Sequence, residues 1–321
     1  MQPSTVAMPS MVLRVSNVVS YFLFILINTL ANKGYFGPTN ADVSKQYRTP
    51  LTPAGWAFSI WGVIFALQGA GAIYAALPMG YRSPAKRAAV NTIGYGWQLT
   101  WLFECLWLVL FPRQTLPVFI VCAFLLFAGL ASIATTCARV YRVNGSMAAV
   151  RGTAPVAQET PSSKAVLYAL YFLPTSINTA WLSVASCLGM TVLAASQDTG
   201  LATQNVLAAL LAALVSGIGV YILLQHGDLA YAATLIWALS AVLDAQRGEL
   251  VRMLAVLAIV VLGLVSGLTV YRRWKLRQRQ LEASSVEAAS AGLQESLLAP
   301  GAAVGGAGGV GGVVPSGVTT S

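Results

Sequence analysis

Charge is what this sequence has least of. Asp, Glu, Lys and Arg supply 9% of its 321 residues, against about 25% in soluble globular domains. So little charge argues against an ordinary water-soluble domain. Histidine is rarer still, with one copy, His226, in a tight loop. Four cysteines (Cys105, Cys122, Cys137 and Cys187) all fall in apolar stretches, and no two form a Cys-x-x-Cys pair. This composition argues against a dedicated zinc or iron centre and against disulfides. Buried free thiols are the expectation. No nucleophile–base constellation and no cofactor motif is visible, so neither an enzyme nor a bound cofactor is expected.

Apolar runs are there in abundance. Hydrophobic residues make up 57% of the chain, and mean hydropathy is +0.70. Eight segments approach the roughly 20 residues a membrane span requires. They are 16–31, 54–77, 93–111, 117–138, 165–194, 205–224, 229–245 and 253–271. The expected fold class is an all-α polytopic membrane protein of about eight transmembrane helices. The fifth segment is too long for one straight crossing, about 45 Å at 1.5 Å per residue. It must tilt or extend beyond the bilayer, with a kink at Pro174.

Basic residues set the expected orientation. With eight spans, one side carries Arg14, Arg82, Lys86, Arg87, Arg139, Arg142, Arg151, Lys164 and the cluster Arg272, Arg273, Lys275, Arg277 and Arg279. The other side carries Lys33, Lys45, Arg48, Arg113, Arg247 and Arg252. Thirteen against six puts both termini in the cytoplasm by the positive-inside rule. The net charge of +9 is thereby explained without a nucleic-acid partner. The cluster at 272–279 reads as a stop-transfer anchor that also meets anionic lipid.

Four regions are expected: an N-terminal segment 1–15, a five-helix core 16–195, three further helices 196–272, and a tail 273–321. Within the tail, 281–299 suits a short amphipathic helix. Residues 300–321, rich in Gly, Ala and Val, are expected to be disordered. Gly62, Ala66 and Gly69 share a face, and Gly263-x-x-x-Gly267 has the small-x-x-x-small spacing that lets helices approach closely. Packing within the chain is the expectation, and a homodimer through the last span is the alternative.

Span three places Trp97, Trp101, Glu104 and Leu108 on one helical face. A carboxylate near mid-membrane costs about 2.5–3.5 kcal/mol on insertion scales and should face the bundle interior. This face reads either as a cavity wall or as packing around a buried acid. In span five, Thr175, Ser176 and Asn178 are placed to satisfy backbone groups freed by Pro174. Asn178 and Trp181 share a face and are expected to look into the same cavity as Trp101. In "LTPAGWAFSIWG", residues 51–62, Thr52 suits an N-cap and Pro53 the first turn of a helix. Trp56, Phe58 and Trp61 then fall at the membrane interface.

That stretch also resembles the tryptophan-rich sensory protein / translocator protein (peripheral benzodiazepine receptor-like) family. The family's second helix opens with Pro-Pro-x-Trp-x-Phe-Gly-Pro-x-Trp, and Pro53, Trp56, Phe58 and Trp61 stand in its places. Ala54 replaces the second proline, and the Trp56–Trp61 spacing is one residue shorter. "WQLTWLFECLWLVLF" resembles the Trp-rich third helix. Asn178 and Trp181 resemble the Leu-Asn-x-x-x-Trp region of the fifth, again one residue shorter. The resemblance covers roughly 17–195, and "TPAG-aromatic-AFSIWG" is similar to longer relatives with additional helices.

The resemblance implies a five-helix bundle whose aromatic cavity binds hydrophobic ligands such as porphyrins and sterols. It also implies a link to light-dependent porphyrin breakdown. The ligand-binding residues expected are Trp56, Phe58, Trp61, Trp97, Trp101, Glu104, Asn178 and Trp181, and Trp101→Leu is expected to weaken binding without unfolding the bundle. The partners expected are membrane lipids and a hydrophobic small molecule. The alternative is a secondary transporter or channel for a small solute that uses Glu104 within the membrane.

Overall fold

A computed structural model of the chain describes residues 6–143, 165–246 and 248–298. Residues 151, 164 and 247, counted for orientation, and the tail 300–321 lie outside the described residues. The chain divides into two units, 1–269 and 270–321. Within the described part of the second unit, 270–298 is helical and nearly all side chains are exposed.

The described residues form helices and no strands. The helices are α1 (Met11–Asn32), α2 (Asn40–Gln46), α3 (Ile60–Ala76), α4 (Pro84–Ile93), α5 (Gly96–Leu110), α6 (Leu116–Val143), α7 (Leu173–Ala195), α8 (Leu201–His226), α9 (Leu229–Ala245) and α10 (Glu249–Leu298). A 3₁₀ turn, Gly55–Ser59, leads into α3, and a π-helical turn, Tyr168–Phe172, leads into α7. All eight expected apolar segments are helical. Six helices are long and apolar enough to span a membrane, counting the leading turns with α3 and α7. Helix α5, at 15 residues, and α9, at 17, are shorter.

Contacts between the connecting segments show that these two also cross. At one end, Arg48 donates to the Ala245 carbonyl at 2.8 Å, and Thr49 meets Thr191 at 3.0 Å. At the other, Asn91 donates to the Ala7 carbonyl at 2.8 Å, and Tyr141 to Asp228 at 2.7 Å. Loops 33–53 and 246–248 thus share one end. The N-terminus, α4 and the α8–α9 turn share the other, so α5 and α9 must each run between ends. Lipid-facing positions are apolar, as on α1 (Val19, Phe22, Leu26) and α8 (Leu210, Leu214, Tyr221). Buried positions are mostly apolar but include many polar side chains, which bond backbone carbonyls or one another.

Several local expectations change. The helix after Pro53 starts later than Thr52 would direct. Ala54 is the N-cap of the 3₁₀ turn, and its N–H donates to the Ala241 carbonyl. Thr52 Oγ1 instead accepts from the Thr49 N–H at 2.8 Å. In the fifth span the α-helical pattern breaks one turn before Pro174, as the π turn. Thr175 Oγ1 donates to the Tyr171 carbonyl at 2.6 Å, the i−4 bond common to helical threonines, and not to the Leu170 carbonyl that Pro174 leaves without its N–H partner. Ser176 donates to Asp228 instead, at 2.6 Å. Gly69 packs against Tyr21, but a Cβ at Gly62, Gly263 or Gly267 would meet nothing within 4 Å. Those three glycines therefore mark no helix contact within the chain. Gly71 does, because a Cβ there would sit 2.5 Å from the Leu170 carbonyl oxygen.

Two buried charges hold the end near α4. Asp228 caps α9, accepting from the Ala230 and Tyr231 N–H groups at 3.0 Å each, besides Ser176 and Tyr141. Lys86 on α4 is 1% exposed. Its Nζ donates to the Leu77 and Met79 carbonyls at 3.0 and 2.6 Å, and it lies over the Tyr74 and Tyr81 rings at 4.0 and 4.1 Å. Burial, and to a lesser degree Arg14, holds the Lys86 pKa down at about 8.

Candidate functional site

The interior face of α5 is as the sequence spacing requires: Trp97, Trp101, Glu104 and Leu108 are all buried. Its two halves have different surroundings. Trp97 Nε1 donates to Thr175 Oγ1 at 3.0 Å, and Trp101 Nε1 donates to Gln68 Oε1 at 2.9 Å. Trp101 stacks on Phe24 at 5.8 Å, and Trp97 on Tyr171 at 6.0 Å. These two indoles fill the junction of α1, α3, α5 and α7.

One turn further along, the packing opens. Glu104 and Leu108 line a cavity of about 1210 Å³. Its aromatic wall comes from Phe58 in the 3₁₀ turn, Trp61 and Phe65 on α3, Trp107 on α5 and Trp181 on α7. Trp61 lies 5.4 Å from Phe65 and stands edge-on to Trp181 at 6.2 Å. Phe58 meets Trp181 edge-on at 5.8 Å. The exposed lining residues, among them Lys45, Arg48 and Asp244, form the mouth. It lies at the end where loop 33–53 meets the α9–α10 turn.

The polar groups around the floor of this cavity lack partners. Glu104, only 6% exposed, has no close hydrogen bond from the protein to either oxygen. Asn178, fully buried, lies near enough to interact with the Glu104 carboxyl, and its amide has no other partner. The indole N–H groups of Trp107 and Trp181 are unpaired as well. Buried polar groups are nearly always satisfied, and each orphan costs about 1–3 kcal/mol. Four such side chains around one cavity make it the part of the molecule best suited to receive a ligand's polar group.

Of the sequence-derived site residues, Phe58, Trp61, Glu104 and Trp181 line the cavity, and Asn178 lies beside it. Trp97 and Trp101 do not line it. Neither does Trp56, which is 42% exposed; it donates to Asp244 at 3.0 Å and stands edge-on to Trp237 at 4.7 Å. Sequence reading missed Phe65 and Trp107, which carry the same α3 and α5 spacings one turn on. It also missed Asp244 and Gln246 at the mouth. Gln246 Nε2 donates to the Thr49 and Thr52 carbonyls at 3.1 and 2.6 Å, a contact no local pattern announces.

A family model described as TSPO-like protein matches residues 14–270. The chain belongs to the TSPO-like protein family. The match runs through the helices beyond residue 195, so the family relationship is not confined to the first five spans. No curated protein and no solved structure matches the chain. As a TSPO-like protein of many apolar helices, the chain is a multi-pass integral membrane protein.

Proposed function

We propose that this TSPO-like protein is a membrane binding or sensory protein that holds a flat hydrophobic ligand of the tetrapyrrole or sterol class in the cavity bounded by Trp61, Glu104 and Trp181. The observation that carries this reading is the conjunction of an aromatic wall with orphaned polar groups at one place. Small-molecule sites combine mostly apolar walls with a few positioned polar groups in about 300–1,000 Å³. This cavity, at about 1210 Å³, has room for a large ligand. Its mouth faces the end opposite α4 and the α8–α9 turn, which positive-inside reasoning makes the non-cytoplasmic side.

The test is a titration of purified protein with protoporphyrin, following quenching of tryptophan fluorescence against a free-indole control. Saturable quenching with micromolar or tighter affinity, weakened in Trp61→Leu, supports the reading. Linear quenching, identical in wild type and variant, sinks it and returns the weight to transport through Glu104.

A further inference from the structure

We infer that the end of the protein carrying α4 holds an anionic phospholipid, its phosphate paired with Arg14 and Arg87 and its acyl chains lying along α1. This site is separate from the cavity and does not rest on the reading above. Arg14 lies in the first turn of α1, and Lys86 and Arg87 lie in the first turn of α4. Arg14 and Lys86 share one ring, that of Tyr81, at 5.1 and 4.1 Å from its centroid. Arg87 precedes Asn91 by one turn, on the same side of α4. Asn91 donates to the Ala7 carbonyl, in the segment leading into α1, so that side of α4 faces the start of α1. Arg82, exposed, stands just before α4. Among the described residues no acidic side chain pairs with Arg14, Arg82, Lys86 or Arg87.

The positive-inside rule accounts for the number of cations at this end, but not for how they are held. The Nε atoms of Arg14 and Arg87 are both buried without an acceptor, and an unpaired buried donor is costly, more so on a charged group. Lys86 is satisfied by the Leu77 and Met79 carbonyls, yet the charge on Arg14 opposes its own. A phosphate at the two guanidinium groups would supply the missing acceptors and offset that repulsion. The planar guanidinium fork meets phosphate oxygens in pairs, and both arginines are half-buried, so each keeps part of its surface open. The surroundings favour a lipid over a soluble anion. Val12, Val15 and Val19, close to Arg14 on α1, are exposed, as is Met79 before α4. Acyl chains cover such a surface while the phosphate stands at the helix ends, at the depth of the headgroups. Anionic lipids are concentrated in the cytoplasmic leaflet, the side that the positive-inside rule gives to this end.

The experiment titrates the full chain, delipidated in a mild detergent, with phosphatidylglycerol or with phosphatidylcholine of the same acyl chains. Native mass spectrometry counts the lipids bound. The first phosphatidylglycerol should bind about twentyfold more tightly than the first phosphatidylcholine, about fivefold for each of two cations near the membrane surface. In the double variant Arg14→Gln, Arg87→Gln the two lipids should bind about equally. The double variant Arg14→Lys, Arg87→Lys keeps the charge and should keep most of the preference. A variant with Arg277→Gln and Arg279→Gln, in the tail cluster, should keep all of it. Millimolar inorganic phosphate should not displace the bound phosphatidylglycerol. Equal affinity for the two lipids in wild type overturns the inference. So does a preference that survives in Arg14→Gln, Arg87→Gln, or one that is lost with the tail arginines. Displacement by inorganic phosphate also overturns it, by making the site one for a soluble anion. Should the double glutamine variant fail to fold, Arg87→Gln alone should still cost about fivefold, and an unchanged preference there overturns the inference as well.

Discussion

Two aromatic clusters lie along α5, about one helical turn apart, and they differ in one respect. Around Trp97 and Trp101 each indole N–H has a partner, Thr175 or Gln68. Around Trp107 and Trp181 neither does, and Glu104 and Asn178 beside them are orphaned too. Tryptophan is abundant in both, so abundance of indole does not by itself mark a site. Hydrogen-bond completion separates them better: in the first cluster both indole N–H groups are satisfied and only the Gln68 Nε2 amide is left over, while in the second two indoles, an amide and a carboxyl are. Mutation can be used to break this contrast.

The largest effect should come from the finished cluster. Trp101→Ala removes the Gln68 bond and the Phe24 stack, and about 3–5 kcal/mol of stability should go with a large buried ring. Unfolding by a denaturing detergent measures it. The molecules still folded should bind protoporphyrin with wild-type affinity, because Trp101 does not line the cavity. The structure thus moves the sequence-based expectation for Trp101 from binding to stability. Weakened binding at full stability would mean the two clusters are one site.

Next comes the approach of α3 to the π turn. A Cβ at Gly71 would press on the Leu170 carbonyl, part of the backbone, and overpacking of this kind costs about 1–3 kcal/mol. Gly62→Ala, with nothing within 4 Å, should leave stability unchanged or raise it by up to about 1 kcal/mol through helix propensity. An equal change in the two variants would show that the Leu170 contact is not what requires glycine at position 71.

Trp181→Phe probes the unfinished cluster. It keeps a ring and removes an N–H that has no protein partner, so stability should hardly move. Protoporphyrin affinity should fall several-fold, the equivalent of about 1 kcal/mol for one lost hydrogen bond. A loss of stability with unchanged affinity would assign Trp181 to packing.

The last effect belongs to Lys86 on α4, which touches neither cluster. Its folded pKa of about 8 lies below the ordinary lysine value of 10.5. Between those values the unfolded chain binds more protons than the folded one, so this group's contribution to stability rises with pH from about 8 to about 10.5. The thermal midpoint of wild type relative to Lys86→Met should therefore climb across that window. A difference independent of pH would mean that Lys86 acts only through its bonds to Leu77 and Met79.

The helices were legible because apolar runs of spanning length are read directly by composition, and the interior face of α5 followed from 3.6-residue spacing. What lay beyond reach was long-range or degenerate. Gly263 and Gly267 look like contact residues, but spacing of small residues cannot say whether a partner helix is there. Trp101 and Trp107 sit six residues apart on one helix, and only the positions of Gln68 and Phe24 on other helices decide which is packed and which faces a cavity. The mouth residues Asp244 and Gln246 come from a turn that nothing in "LTPAGWAFSIWG" anticipates.

The joint between that stretch and the α9–α10 turn also sets a schedule. Arg48 and Ala245 are 197 residues apart, and a ribosome adds about 5–20 residues per second. For roughly 10–40 seconds of synthesis, the loop bearing Thr49, Thr52 and Ala54 has no partner for those backbone groups, while most of the helices that will line the cavity are already made. The rim is completed among the last events of assembly, so a chain halted before residue 245 would enter quality control with its aromatic chamber built and its doorway unframed.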